Sequence, residues 1–115
     1  MHPIIIFLIS NFLYAVTLSV PLEYETIQLA INNSANYDTV LVSPGTYQEN
    51  LVVGNVEITI LSLSGVEQTV IDGSLGGPTI SFQETPSTTS INGFTIQGGT
   101  GKYILGATYG GGVFG

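Results

Sequence analysis

Asp38, Glu49, Glu57, Glu67, Asp72 and Glu84, with Tyr47, Tyr103 and Tyr109, are the side chains of this 115-residue sequence whose chemistry suits a polysaccharide. Two carboxylates facing each other across a groove can hydrolyse a glycosidic bond, one as acid and the other as base or nucleophile. An aromatic ring offers a flat apolar face on which a sugar ring can rest, a contact that needs no catalytic group. The six carboxylates are dispersed along the chain and form no recognisable pair, so each is expected at a solvated or turn position. Asp72, ahead of Gly73, is expected to bond its own turn. Tyr47, Tyr103 and Tyr109 are the candidate carbohydrate contacts, with packing or simple exposure as the alternative for each.

Other chemistries are removed by what the sequence lacks. It has no cysteine and no arginine, and its one histidine is His2. Serine-histidine and cysteine-histidine nucleophiles, and the usual zinc or iron ligands, are therefore not expected in the folded part. No catalytic, cofactor or metal residue is assigned. Gly110-Gly111-Gly112-Val113-Phe114-Gly115 fits a dinucleotide-binding glycine pattern in form, but that pattern has meaning only between a strand and a helix of a βαβ unit. A net charge of −7, with Lys102 the single basic side chain, repels phosphate backbones and anionic lipid surfaces. Nucleic acid is excluded as a partner.

Residues 1–19 read as a secretory signal peptide: Ile4 to Ile9 and Phe12 to Val16 are apolar, and Thr17 and Ser19 supply small residues before a cut. No Lys or Arg precedes the apolar run, so an uncleaved membrane anchor is the rival, although the run falls short of the ~20 residues that span a bilayer. Export to an oxidising compartment without cysteine means that burial and backbone pairing must supply the stability. Asn32-Asn33-Ser34 is a glycosylation acceptor sequence, which places it at the surface.

The elements that must position these side chains are short. Ile27, Ala30 and Ile31 fall at helical spacing and predict one helix over Glu25–Asn33, with Glu23 and Glu25 near its positive end. From Thr39 the pattern alternates, predicting strands at Thr39–Val42, Leu51–Val53, Glu57–Leu61, Thr69–Ile71, Thr79–Phe82 and Ile91–Ile96. Pro44-Gly45, Gly54-Asn55, Ser64-Gly65, Asp72-Gly73, Gly76-Gly77-Pro78 and Asn92-Gly93 supply the corners. Such asparagine-glycine and aspartate-glycine pairs also suit hairpins, so an antiparallel sandwich stands as the alternative fold. Against it, similar strands recur at Val40/Val42, Ile58/Ile60, Ile80/Phe82 and Phe94/Ile96, a loose repeat of the kind that builds a solenoid.

Tyr24-Glu25-Thr26-Ile27-Gln28, then Asp38-Thr39-Val40-Leu41-Val42-Ser43-Pro44-Gly45-Thr46-Tyr47-Gln48-Glu49-Asn50, resembles the N-terminal cap and first coil of the pectin lyase-like superfamily. Thr69-Val70-Ile71-Asp72-Gly73, Gly93-Phe94-Thr95-Ile96 and Tyr109-Gly110-Gly111-Gly112 extend the resemblance. It implies an all-β fold over residues 20–115, a right-handed parallel β-helix with a short N-terminal capping helix, of which the glycine-rich stretch after Gly98 is an interrupted coil and which is truncated at its C-terminal end. Gly45-x-Tyr47-x-Glu49 is also similar to a motif of pectin methylesterases. The structural reading of that motif is a glycine corner, a packed ring and a carboxylate that caps nearby backbone. The expected function is a secreted or cell-surface scaffold, structural, adhesive or in contact with an extracellular polysaccharide or cell-surface glycan, without an active site in these residues. The alternative is the front of a polysaccharide-processing enzyme such as a pectin esterase, its chemistry supplied by residues further along.

Overall fold

Alternation with period two gives each short strand one apolar face, which can be buried only if many such strands stack. In the computed structural model, which describes residues 14–99 and the strands Tyr103–Leu105 and Val113–Phe114, they stack as a parallel β-solenoid of about three turns. Strands β1 (Thr17–Val20), β2 (Thr39–Val42), β5 (Thr59–Ser62) and β8 (Ser90–Asn92) lie side by side in one sheet. A second sheet holds β3 (Gly45–Gln48), β6 (Thr69–Asp72) and β9 (Phe94–Gln97), and a third holds β4 (Leu51–Val53) and β7 (Ile80–Phe82). Every pairing among β1 to β9 is parallel, which decides against the sandwich. The chain turns at Asp72-Gly73 and Asn92-Gly93 from one sheet to another and does not double back on the same one.

Register lines up like with like. Leu18 stacks on Val40, Val40 on Ile60 and Ile60 on Ile91, all four buried. Tyr47, Ile71 and Ile96 form a column in the second sheet, and Leu51 with Ile80 one in the third. Removing each aliphatic side chain from water is worth about 1.5–3 kcal/mol, so these columns are the main store of stability.

The recurrence read from spacing does not survive intact. Val40, Ile58, Ile80 and Phe94 are not one column, because Ile80 belongs to the third sheet and Phe94 to the second. Each turn carries three similar strands, and a single spacing mixes the faces. The stretch after Gly98 also departs from a continuing parallel coil: β10 (Tyr103–Leu105) runs antiparallel to β9, and β11 (Val113–Phe114) antiparallel to β7.

The helix α1 spans Ile27–Asn32 and turns Ile27, Ala30 and Ile31 into the core. Thr26 is its N-cap, the hydroxyl oxygen accepting the Leu29 N–H at 3.1 Å. No acidic residue lies in its first turn. Glu23 instead accepts the Ser19 N–H, 3.0 Å away.

Candidate functional site

The motif most suggestive of chemistry, Gly45-x-Tyr47-x-Glu49, occupies β3 and the corner that follows it. Glu49 turns back over the solenoid end, where its Oε2 accepts the Ile27 N–H and its Oε1 the Gln28 N–H, both at 2.9 Å. These are amides of the first helical turn, which have no partner inside the helix and form the positive end of its dipole. The carboxylate that α1 lacks in its own first turn is thus delivered from a strand corner. Both oxygens are engaged by this capping.

Gln28 extends the junction. Its side-chain amide donates to the Val52 carbonyl at 2.9 Å and accepts the Val52 N–H at 2.8 Å, the pattern by which one strand residue pairs with another. A helix side chain therefore closes part of the open edge of β4.

Tyr47 is half-buried against the core, and its hydroxyl donates to the Ser43 carbonyl at 2.8 Å across the Pro44-Gly45 corner. Burial, and secondarily the charge of Glu49, push that hydroxyl above the usual tyrosine range. The ring has less face to offer a sugar than its sequence position suggests. Tyr103 lies on β10, whose backbone alone is described, and Tyr109 lies outside the described residues. An aromatic that sequence reasoning passed over is better placed. Tyr37 is 64 % exposed, in the turn before β2, at a φ of 77°. No periodicity marks it, since it precedes its strand.

The carboxylates remain apart in role. Asp72 Oδ1 accepts the Ser74 N–H at 3.1 Å, the expected bond to its own turn. Glu67 and Glu84 are exposed and Glu57 is half-buried. Asp38 is buried, and its two oxygens accept the N–H groups of Val16 and Ala35. Among the described residues there is no group of three or more acidic, histidine or cysteine side chains able to hold a metal ion, and no helix is long and apolar enough to cross a membrane.

Asn50 closes the segment that resembles a first coil, and the sequence assigned it no role of its own. Its amide nitrogen donates to the carbonyls of Gly73 at 2.7 Å and Pro78 at 2.9 Å, tying one coil's corner to the next. The signal available was its place directly after Glu49, where a side chain leaving the corner must meet the following turn. Protein-family models, curated proteins and solved structures were all compared with the chain, and none matches it.

Proposed function

We propose that the chain is a secreted or surface-attached β-solenoid scaffold of the pectin lyase-like kind, which contacts an extracellular polysaccharide or cell-surface glycan without turning it over. The observation that carries this reading is the engagement of Glu49: both oxygens of the one carboxylate in an enzyme-like motif are bound by α1 amides. A carboxylate so held is a structural acceptor and is poorly placed to move a proton for a substrate. Parallel coils supply long flat faces suited to an extended polymer, and the exposed ring of Tyr37 supplies a stacking surface.

Retention of the chain on immobilised pectin, polygalacturonate and other polysaccharides tests the reading, with released products measured in the same samples. Binding weakened by Tyr37→Ala, with no product, is the expected result. Turnover abolished by Glu49→Ala or Asp72→Ala would overturn the scaffold in favour of an enzyme.

A further inference from the structure

Tyr37 lies in a turn, yet it is bonded to the next coil. Its N–H donates to the Glu57 carbonyl at 2.6 Å and the Glu57 N–H donates to Asn36 Oδ1 at 2.9 Å, so both backbone groups of Glu57 grip the Asn36-Tyr37 turn. The turn also closes on itself, the Asp38 N–H donating to the Ala35 carbonyl at 3.1 Å and the Ala35 N–H to Asp38 Oδ2 at 2.8 Å. A φ of 77° is unfavourable for an aromatic residue and persists only where its surroundings impose it. These bonds fix in place a ring that is 64 % exposed. A platform already immobilised loses little freedom when a ligand stacks on it.

Glu57 brings a carboxylate to the same corner. It is half-buried, and the carboxylate is bonded to no other group among the described residues, which leaves its oxygens to accept a ligand hydroxyl. The charge of the whole chain bears on which ligand that is. Eight acidic side chains stand against one basic one, Lys102, and residues 1–13 contain no Asp, Glu, Lys or Arg, so the balance is the same with or without them. A polyuronate carries a carboxylate on each sugar, and a single lysine, wherever it lies, cannot match such a row. A uronate resting on Tyr37 would also bring its charge toward that of Glu57, the kind of repulsive contact that discriminates against a partner.

We propose that Tyr37 and Glu57 form one contact for an uncharged polysaccharide, the ring taking the apolar face of a sugar and the carboxylate accepting one of its hydroxyl groups, and that Glu57 turns uronate polymers away. The inference rests on the glycan contact proposed above and names its ligand class.

Retention of the chain is measured on insoluble cellulose and mannan and on immobilised polygalacturonate, at low and high salt, with a chelator present so that no divalent ion bridges two carboxylates. Retention on a neutral polymer, unchanged by salt, is expected; it should be several-fold weaker in Tyr37→Ala and largely kept in Tyr37→Phe. Rejection of polygalacturonate should ease as salt screens the repulsion. Glu57→Gln leaves the backbone grip on the turn intact, and it should weaken neutral retention several-fold while raising that on polygalacturonate. Thermal unfolding checks that each variant is folded. Stronger retention of the parent chain on polygalacturonate than on the neutral polymers overturns the inference and leaves the glycan contact standing, whereas retention on none of them overturns both. A Glu57→Gln protein that matches the parent on every polymer removes Glu57 from the contact and also overturns the inference.

Discussion

Glu49 and Gln28, 21 residues apart, are joined by a 2.9 Å bond from the helix amide to the carboxylate, while the Gln28 side chain reaches past Glu49 to both backbone groups of Val52. The helix is thereby locked over the end of the solenoid by polar contacts as well as by burial of Ile27, Ala30 and Ile31. Glu49→Gln keeps the shape but turns an amide toward N–H groups that need an acceptor. A loss of about 1.5 to 3 kcal/mol is expected from urea unfolding, the range for hydrogen bonds to a charged group. A loss under about half a kcal/mol, ordinary for a surface change, would show that the cap does not depend on this carboxylate.

The column through Ile60 makes a second prediction. Ile60 is fully buried between Val40 and Ile91, Ile58 is buried just before β5, and Thr59 between them is half-exposed. Ile60→Ala and Ile58→Ala should each cost about 2 to 5 kcal/mol and Thr59→Ala far less. Hydrogen exchange should quicken around Val40 and Ile91 in Ile60→Ala, because neighbouring rungs support one another. The reverse ranking would mean that the register is off by one residue.

Glycines separate sharply by what surrounds them. A Cβ at Gly73 would sit 2.6 Å from the Thr79 Cα, a backbone atom that cannot step aside, whereas one at Gly54 meets nothing within 4 Å. Gly73→Ala should therefore destabilise by about 1 to 3 kcal/mol, as overpacking does, and Gly54→Ala should leave the melting temperature nearly unchanged. Thermal unfolding of the pair gives the comparison directly.

Tyr47 predicts behaviour in alkali. Its hydroxyl titrates above the unfolded value because of burial and then Glu49, so the folded state holds the proton longer than the unfolded chain. The stabilisation is present in full below the unfolded value near 10 and is lost as pH rises through the raised folded value. Tyr47→Phe loses the bond to Ser43 at every pH, about 1 kcal/mol, yet its stability should fall less steeply in alkali. Unfolding curves across that range, with tyrosinate absorbance recorded alongside, would expose an equal slope in the two proteins and refute the assignment.

Strand positions were legible because alternation is local: Val40, Val42, Ile60, Ile71 and Ile80 announce their inward faces by their neighbours alone. Which strand stacks on which was not legible, since Val40 meets Ile60 and not Ile58, and spacing cannot distinguish three similar strands per turn. The Gly45-x-Tyr47-x-Glu49 motif was visible, and so was its structural reading. Its partner was hidden, because a contact between Glu49 and the Ile27 amide depends on where the coil returns to the helix. Tyr37 was missed for the opposite reason, being a loop residue held by a backbone bond to the distant Glu57 carbonyl.

The parallel ladder of the first sheet also dictates an order of assembly. Thr39 pairs with Thr17, Thr59 with Thr39 and Ser90 with Thr59, so each rung needs only the one made before it, roughly 20 to 30 residues back. Loop closure then has a similar, moderate entropic cost at each step of this sheet, and none of its rungs waits for a strand made later. Such a chain can wind up vectorially, adding a coil each time enough length has emerged from a ribosome or a pore. The helix over its first end would then already be in place to guard the leading edge while the trailing one is still growing.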